Sequence, residues 1–421
     1  MVSWRAKPNC YDTDSDLIPV KEARDQILRN VLPIRESELV SISAAAGRVL
    51  FENIDSPMDV PPHRNAAMDG FAVAGQQIPD RHATTFQVVG TSWAGAPFTG
   101  AVGASQAVHI MTGAVMPDDT DTVVPQEHVE TIDDEHVRIG PGHPLGINVR
   151  AAGEDITRGQ TVLTAGTRIG PAESGVLASL GIAQVSVGRR ISVAVMSTGN
   201  ELRGAGQALE SGALYDSNRF TLMHMLARLG TDVADFGIHE DKPGDLLKSL
   251  HQAARGHDVI ITSGGVSTGA ADYVLDVASK IGDLQVWRIA IRPGRPFAQG
   301  RIGDALFFGL PGNPVAVMVT YYQLVEPALR RLLGETNVEP VPILQARTVS
   351  RFRKKPGRTE VYRAILSRDA KGQPTVRSTG QQGSGLLHSM SVANCFVILG
   401  DEADTAQPGE WVDVQPFYGL L

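Results

Sequence analysis

Length, composition and charge exclude several classes of protein. The chain has 421 residues, of which 42% are hydrophobic, so it is long enough for roughly two to four domains. Its formal net charge of −8 argues against nucleic-acid binding. The cysteines, Cys10 and Cys395, provide neither a disulfide framework nor a CxxC metal site. With no apolar leader and no bilayer-spanning apolar run, we expect a reduced, soluble, cytoplasmic protein that contacts no membrane.

The N-terminal part of the chain predicts two structural patterns. Residues 12–57 contain a helix marked by Ala23 and Ile27, followed by a short Ala-rich helix near Ser43 to Val49. Residues 58–147 have short Val-rich segments between glycines and prolines, which is typical of a small β-rich domain.

Strands alternate with helices between residues 189 and 335, at a spacing that predicts a mostly parallel, three-layer α/β sheet. The predicted elements, in chain order, are a strand at Ile191 to Met196, a helix from Asp216, a strand at Thr231 to Ile238, a helix around Leu246 to Ala254, a strand at Asp258 to Thr262, a helix from about Asp272, strands at Gln285 to Ile291 and Ala305 to Leu310, and a long helix from Asn313.

Short strands follow a Pro-rich joint and fill residues 340–421. The segment Arg368 to Pro374 links two alternating stretches and predicts a β-hairpin turn. The fold class expected for the whole chain is therefore α/β plus β, divided among several domains.

Polar and glycine-rich segments follow the predicted strands of residues 189–335. Ligands of open α/β sheets bind at the carboxyl ends of the strands. Glycine-rich turns can cradle phosphate, carboxylates suit Mg²⁺, and arginines can hold an oxyanion. The sequence therefore predicts a site for a phosphorylated ligand and a metal ion. The segments that form this rim are Ser197–Glu201, His239–Asp241, Ser263–Gly269 with Asp272, Arg292–Pro296 and Leu310–Pro314.

Each of these features also has a simpler interpretation. Gly264 and Gly265 alone are more often only a tight turn, and for Asn313 with Pro314 a helix cap is the favoured interpretation. Asp241 and Asp272 can be solvated or capping residues. Two segments in other regions raise the same question. Asp69 fits a plain Asp-Gly turn, and Glu154 and Asp155 fit a surface charge pair. Only the coincidence of so many groups on one rim favours a functional site.

The sequence lacks the motifs of several classes of enzyme. The chain contains no GxxxxGK[ST], no HExxH and no GxSxG sequence, which argues against a Walker-type NTPase, a zinc enzyme of that type and an α/β-hydrolase. From the residues alone, the prediction stops at an α/β protein that binds a phosphorylated ligand with Mg²⁺.

An ordered series of motifs resembles the molybdopterin molybdenumtransferase (MoeA) family, which includes the C-terminal domain of gephyrin. The resemblance covers nearly the whole chain, and several motifs in order are more specific than one glycine-rich loop. The matching runs are Met68–Gly70, Ile110–Gly113, Gly153–Ile156, Ser197–Leu202, Tyr215–Arg219, Ser263–Ser267 with Asp272 and Tyr273, and Gly309–Pro314.

The resemblance implies an elongated homodimer of four-domain subunits. Residues 12–57 and 148–188 would form a mixed α/β linking and dimerisation domain, residues 58–147 a β-rich domain, residues 189–335 the molybdopterin-binding domain and residues 340–421 a β-barrel-like domain. It also implies that adenylylated molybdopterin and molybdate are substrates, that Mg²⁺ is the cofactor, and that AMP is released. The implied partners are the adenylyltransferase that supplies the substrate and the apo-molybdoenzymes that receive the product.

The resemblance also implies a set of site residues. The catalytic carboxylates would be Asp69, Asp155, Glu201, Asp241 and Asp272, of which Glu201, Asp241 and Asp272 would bind Mg²⁺. Asp69 and Asp155 would reach the site from other domains, across the dimer interface. The residues that would bind molybdopterin or molybdate are Thr112, Ser263, Gly264, Gly265, Ser267, Arg288, Arg292, Arg295, Pro311, Gly312, Asn313, Arg363 and Ser384.

The chain departs from the family pattern where lysines are usual, since it has Arg288, Arg292 and Arg295 there. It also has Asn200 where Asp is usual, and the basic pair His63–Arg64 before the Met-Asp-Gly turn. A planar guanidinium keeps the charge of an ammonium but not its geometry. Two alternatives therefore stay open: a non-catalytic molybdopterin-binding or scaffold paralogue, and a molybdopterin adenylyltransferase, against which the additional domains argue.

Overall fold

The computed structural model describes residues 17–266, 273–338 and 343–417. Its N-terminal part consists of short strands with two helices at its edges. In chain order these elements are α1 (Val20–Asn30), β1 (Ser37–Ser41), β2 (Ile54–Asp55), β3 (Asn65–Ala66), β4 (Gly70–Val73), β5 (Thr84–Ser92), β6 (Gln106–Ile110), β7 (Thr122–Pro125), β8 (Val129–Thr131), β9 (His136–Ile139), β10 (Val149–Arg150), β11 (Thr161–Leu163), α2 (Pro171–Ser179) and β12 (Gln184–Gly188).

Pairing between distant segments builds the mixed α/β part of this region. Strand β1 pairs antiparallel with β12, and β2 pairs with β11, so residues before position 57 pack with residues after position 148. Their apolar side chains, including Leu50 and Leu177, form a small core. The helix predicted near Ser43 is wrong: only the 3-10 turn Ile42–Ala44 forms, because the chain bends away at Gly47, whose φ is 74°.

Residues 70–139 form the predicted β-rich unit. Its six strands lie in the order β7-β4-β6-β5-β9-β8. Apolar side chains such as Val73, Phe86 and Ile139 are fully or almost fully buried against one another. The antiparallel pairing of β4 with β6 places Gly70 opposite Ile110. The residues just before β4 and just after β6 therefore share one end of the sheet.

The central part of the chain alternates strands with helices, as predicted. Its elements are β13 (Ser192–Thr198), β14 (Leu202–Arg203), β15 (Leu214–Tyr215), α3 (Asn218–Leu229), β16 (Asp232–His239), α4 (Pro243–Gly256), β17 (Val259–Ser263), α5 (Tyr273–Ile281), β18 (Asp283–Arg288), β19 (Ile291–Arg292), β20 (Pro296–Ile302), β21 (Ala305–Leu310), α6 (Pro314–Thr320) and α7 (Glu326–Leu332), with a π-helical turn at Tyr321–Val325 between the last two helices.

The three-layer α/β arrangement is confirmed. The main sheet has the strand order β16-β13-β17-β21-β20-β18, and the first four strands are parallel. Separate apolar cores cover its two faces: side chains of α3, α6 and α7 pack on one, and those of α4 and α5 pack on the other. Buried strands with apolar side chains on both faces are what a covered parallel sheet requires.

The edge of this sheet differs from the prediction. Strand β20 was not predicted, and it lies antiparallel between β21 and β18. The predicted strand Gln285 to Ile291 is also divided, because the chain leaves the sheet after Arg288 and β19 pairs with a strand of the C-terminal unit. Strand β18 is still parallel to β21, so the arginine segment that follows it remains at the carboxyl edge.

The C-terminal part is a small barrel. Its elements are β22 (Leu344–Thr348), β23 (Thr359–Arg368), β24 (Pro374–Ser378), α8 (His388–Val392), β25 (Cys395–Leu399) and β26 (Trp411–Pro416). Five strands in the order β23-β24-β22-β26-β25 close on themselves because β25 also pairs with β23. The predicted hairpin is confirmed, with Arg368 opposite Pro374. Among the described residues, no helix is long and apolar enough to cross a membrane.

Candidate functional site

A cavity of about 1240 Å³ lies between the carboxyl edge of the α/β sheet and one loop of the barrel. The sheet supplies the residues after β13, β16, β17, β18 and β21, and the barrel supplies Arg358, the loop Gln382 to Gly385, and Leu387. The cavity brings together many residues that the sequence analysis singled out, although they are dispersed along the chain. The predicted residues that line it are Glu201, Asp241, Ser263, Gly264, Gly265, Arg292, Arg295, Pro311, Gly312, Asn313 and Ser384.

The other predicted residues are placed differently. Asp69, Thr112, Asp155, Arg288 and Arg363 are not among the residues that line the cavity. Ser267 and Asp272 lie outside the described residues, so their positions stay predictions.

The turn after β17 needs both of its glycines. Gly264 and Gly265 have φ values of 91° and 70°, which L-residues rarely adopt. A Cβ atom on Gly264 would lie 2.6 Å from the carbonyl oxygen of Thr198, and one on Gly265 would lie 2.4 Å from the side chain of Val274. The tight-turn interpretation therefore holds. Both glycines line the cavity, and the N–H of Gly264 donates to the carbonyl oxygen of Leu310 over 3.1 Å.

The turn after β21 does not cap its helix through a side chain. Asn313 occupies the N-cap position of α6, but its side chain makes no capping hydrogen bond. It is exposed and lines the cavity instead. The capping interpretation that the sequence favoured is therefore wrong for the side chain of Asn313.

Two carboxylates, Glu201 and Asp241, lie on the sheet side of the cavity. The backbone N–H of Asp241 donates to Oδ1 of Asn200 over 3.1 Å. Partial burial raises the pKa of Asp241, and the negative charge of Glu201 raises it further, while the contact with Asn200 opposes both. In residues 17–266, 273–338 and 343–417, no cluster of three or more His, Cys, Asp or Glu side chains is arranged to hold a metal ion. A third carboxylate, that of Asp216, also lines the cavity but is paired with Arg219, so Glu201 and Asp241 are the carboxylates considered for a metal ion.

Backbone pairing on both sides fixes the arginine segment. Ile18 N donates to Arg288 O over 2.9 Å, Ala290 N donates to Ile18 O over 2.8 Å, and Thr359 N donates to Ala290 O over 2.8 Å. The segment is therefore held between the N-terminus of the described chain and the barrel. This pairing directs Arg288 away from the cavity lining, whereas Arg295 lines the cavity.

The cationic side of the cavity is centred on a buried carboxylate. Nη1 of Arg292 and Nε of Arg358 each lie 3.6 Å from Oε1 of Glu360. Tyr362 donates its hydroxyl hydrogen to Oε2 of Glu360 over 2.6 Å. The side chain of Arg292 is 63% exposed, so its guanidinium keeps donors available to a ligand in the cavity.

Arg363 supports the barrel loop Gln382 to Gly385 through hydrogen bonds to its backbone. Its side chain has no exposed surface, and burial lowers its pKa to about 10. The guanidinium donates to the carbonyl oxygens of Gln382 and Gly383 over 3.1 and 2.9 Å, and to Oγ of Ser389 over 2.9 Å. The loop then places Ser384 in the cavity wall, where its carbonyl accepts from Val315 N over 3.1 Å.

Asp69 and Thr112 form a pair at the end of the β-rich sheet. Oδ1 of Asp69 accepts hydrogen bonds from the hydroxyl and the backbone N–H of Thr112, over 2.6 and 2.7 Å. These bonds, the hydroxyl first, hold the pKa of Asp69 below its usual value. The side chain of Asp69 thus joins the turn before β4 to the turn after β6. Asp155 is exposed, and its backbone N–H donates to Val60 O over 3.0 Å.

Sequence reasoning missed several cavity residues, including Asp216, Asn218 and Arg358. Asp216 and Asn218 belong to the Tyr215–Arg219 motif, which carried part of the resemblance but received no role. The signal for Asn218 was a polar residue at the start of a helix, next to the predicted rim. No local pattern indicated Arg358, because its place in the cavity depends on how the barrel packs against the sheet.

The fold defines a multidomain α/β protein with a cavity between its sheet and a β-barrel. Family models match residues 18–181 (MoeA N-terminal region, domains I and II), 194–331 (probable molybdopterin binding domain) and 345–417 (MoeA C-terminal region, domain IV). The chain belongs to the molybdopterin molybdenumtransferase (MoeA) family of enzymes of molybdenum cofactor biosynthesis.

Individual relatives agree with this assignment. The molybdopterin molybdenumtransferase of Haemophilus influenzae is 38% identical over 96% of this chain and 100% of its own length. Gephyrin of Dictyostelium discoideum is 31% identical over 94% of this chain and 62% of its own length. The crystal structure of the molybdopterin biosynthesis moeA protein from Pyrococcus horikoshii OT3 matches with a TM-score of 0.83 and 25% identity, covering 95% of this chain and all of that one. The fold is thus shared over nearly the full length.

Proposed function

We propose that the protein inserts molybdate into adenylylated molybdopterin and releases AMP in a Mg²⁺-dependent reaction. One observation carries the proposal: a single cavity collects the glycine-containing turns after β17 and β21, three carboxylates, three arginines and a serine-bearing loop. A ligand with a pyrophosphate and a tetrahedral oxyanion needs donors, cations and a metal-binding carboxylate set within a few ångströms of each other. The names of the relatives supply the chemistry of that ligand.

Phosphate binding is assigned to the sheet side of the cavity. The backbone N–H group of Gly265 can donate to phosphate oxygens, as can those of Ser217 and Asn218 in the first turn of α3, which also line the cavity. Arg292 and Ser384 lie on the barrel side, where they would hold molybdate. Arg363 would act through the loop that it supports.

The described residues fit Mg²⁺. Glu201 and Asp241 provide two oxygen-bearing side chains, and Mg²⁺ is held in proteins by one or two carboxylates together with substrate phosphate and water. When bound, Mg²⁺ would neutralise negative charge on the pyrophosphate oxygens. Asp272 remains a predicted third ligand outside the described residues.

Water is the co-reactant in the cleavage of the adenylate. The P–O bond that joins the AMP phosphorus to the bridging oxygen breaks, and the oxygen of water forms the new bond to that phosphorus. AMP leaves, and the molybdopterin phosphate keeps the bridging oxygen. In the insertion, two Mo–S bonds form and one Mo–O bond of molybdate breaks, and that oxygen leaves as water with the two thiol protons, so that the oxidation state of molybdenum does not change. The residues of the cavity orient the pyrophosphate and hold molybdate next to the ligand's sulfurs.

We also propose that the functional unit is a cytoplasmic homodimer in which the partner completes the site. Asp69, Thr112 and Asp155 do not line the cavity of their own chain, although the resemblance gives Asp69 and Asp155 catalytic roles. If the partner subunit contributed these three residues, they would reach the cavity although they lie away from the cavity of their own chain. The adenylyltransferase that supplies the substrate and the apo-molybdoenzymes that accept the product are the proposed transient partners.

Mixing two inactive variants tests the shared site. We expect Asp69→Asn and Asp241→Asn proteins to be inactive alone, and to regain activity when they are unfolded and refolded together. Each mixed dimer would contain one cavity with an intact Asp241 and an intact Asp69 from the partner. The measurement is AMP release after separate and joint refolding. Joint refolding without any gain in activity, in dimers shown to be mixed, would contradict the shared site.

AMP release itself tests the proposed function. Adenylylated molybdopterin is incubated with the protein and Mg²⁺, with and without molybdate, and AMP and active cofactor are measured. Molybdate-stimulated AMP release together with active cofactor is the expected result. Tight binding of the pterin without AMP release would favour the scaffold alternative, and ATP-dependent adenylylation of molybdopterin would favour the adenylyltransferase.

A further inference from the structure

Positive charge is concentrated in residues 347–358 of the barrel. This segment contains six Lys or Arg residues and no Asp or Glu, although acidic residues outnumber basic ones in the whole chain, 46 to 38. The side chains at every second position are exposed to solvent. These five residues, here called the basic strip, are Arg347, Val349, Arg351, Arg353 and Lys355.

Two buried side chains between the exposed ones fix the course of the strip. Phe352 packs in the core of the barrel, and its backbone exchanges two hydrogen bonds of 3.0 Å with Ala406. The ammonium group of Lys354 donates to the carbonyl oxygens of Asp401 and Ala403 over 3.1 and 2.7 Å. Burial of an ammonium group is costly unless it is hydrogen-bonded, so these contacts define an ordered segment and not a loose charged loop.

Neighbouring carboxylates leave the cations of the strip unpaired. Within the part of the chain that the structure describes, none of its four cations forms an ion pair with an Asp or Glu side chain. The adjoining loop contains Asp401, Glu402 and Asp404. Burial lowers the pKa of Lys354, and the charges of Glu360, Asp401 and Asp404 oppose this effect, so the acidic loop acts on the buried lysine. The exposed cations are therefore available to a binding partner.

Two exposed apolar side chains accompany these charges. Val349 is 58% exposed, and Trp411, which lies opposite Arg347 on β26, is 48% exposed. The guanidinium carbon of Arg347 lies 5.2 Å from the centre of the Trp411 ring, so one face of the ring is already covered. Single-stranded nucleic acids need free aromatic faces on which their bases stack. An acidic polypeptide segment, which pairs carboxylates with arginines and packs apolar side chains beside them, fits this surface better.

The strip leads to the cavity between the sheet and the barrel. Arg358 follows Lys355 by three positions and lines that cavity. The backbone N–H of Gly357, between them, donates to Asp401 O over 2.8 Å, so the connection is also ordered. A protein bound along the strip would therefore lie beside the cavity, where a ligand can pass from one protein to the other.

We propose that the basic strip is a docking surface for an acidic segment of a partner protein that exchanges ligand with the cavity. Charge complementarity gives the chemistry of that segment: it carries carboxylates that pair with the four cations, and an apolar side chain that packs on Val349. The exchange of ligand rests on the proposed function. The docking itself rests on the exposure and the charge of the strip.

The test measures binding of a fluorescently labelled peptide of glutamate and leucine to the full-length protein. The strip variant is Arg351→Glu with Arg353→Glu. The control is Arg368→Glu with Lys371→Glu, which makes the same change of charge on the exposed hairpin turn of the same barrel. We expect the wild type to bind at low ionic strength and to lose affinity as salt is added. The strip variant should bind about 10-fold more weakly, because two attractions become repulsions, and the control should stay within about 2-fold.

Several results would overturn the docking surface. These are no binding by the wild type at low ionic strength, equal binding by the wild type and the strip variant, and equal losses in the strip variant and the control. A labelled single-stranded DNA of the same charge is the second probe. If it bound the wild type more tightly than the peptide and lost that binding in the strip variant, the choice of an acidic protein would be overturned. Melting temperatures of all variants exclude loss of fold as the cause.

AMP release from free substrate separates this inference from the proposed function. The strip variant should release AMP at the wild-type rate, because neither Arg351 nor Arg353 lines the cavity. A wild type that binds the peptide but releases no AMP would overturn the proposed function and leave the docking surface standing. A wild type that releases AMP but does not bind the peptide would overturn the docking surface alone.

Discussion

Replacing Asp241 with Asn is expected to reduce AMP release strongly and to make the ligand-free protein slightly more stable. The variant removes a proposed Mg²⁺ ligand, and loss of one group that stabilises developing charge typically reduces turnover about 100- to 1000-fold. Turnover is measured at saturating Mg²⁺, so that incomplete occupancy of the metal site does not contribute to the measured loss.

The gain in stability follows from the sign of the pKa shift. Burial and the charge of Glu201 raise the pKa of Asp241 in the folded protein. At neutral pH the folded state therefore contains a carboxylate that is less favourable than in the unfolded chain, and the penalty disappears only as the pH falls below the folded pKa. Asn has no such penalty, so we expect a higher melting temperature at pH 7 and no gain in acid.

A matched control is available on the next helix. Asp245 is exposed in the first turn of α4, where a negative charge is favourable. Asp245→Asn should keep full turnover and should not gain stability. An Asp241→Asn protein with normal turnover would remove Asp241 from the catalytic set, and a lower melting temperature would contradict the electrostatic argument.

Replacing Arg363 with Ala is expected to destabilise the C-terminal barrel strongly. The variant leaves the carbonyl groups of Gln382 and Gly383 without their donor and opens a cavity in a region with no exposed surface. Such losses cost about 3–5 kcal/mol. Denaturant unfolding monitored by tryptophan fluorescence measures the effect. The activity of the remaining folded protein should fall as well, because the Gln382–Gly385 segment forms one wall of the cavity.

The neighbouring strand provides the control for this variant. Arg377 lies on β24, where it is exposed. Arg377→Ala should change the free energy of unfolding by less than about 0.5 kcal/mol. If the two alanine variants unfold at the same denaturant concentration, the buried guanidinium is not what holds the loop. In that case a direct contact between Arg363 and molybdate regains support.

Local patterns in the sequence determined the secondary structure of the α/β unit and the position of its functional edge. The sequence predicted a helix from Asp216 and a strand at Asp258 to Thr262, and the structure has α3 and β17 there. The carboxyl ends of parallel strands meet at one edge, so the segments after them had to lie close together. The ordered motifs added the family, which spacing alone does not specify.

Only the tertiary structure decided which of those groups share a cavity. Arg288 and Arg292 are four residues apart, yet only Arg292 lines the cavity, because pairing with Ile18 and with Thr359 turns the backbone between them. Arg363 has the same charge as Arg292 but lies under a loop, bonded to carbonyl groups. Asn218 meets Ser263 and Gly312 only after the sheet has formed. Periodicity and motifs reflect the local preferences of the chain. These contacts instead depend on the packing of segments that are distant in sequence, and a single window of residues does not contain both segments.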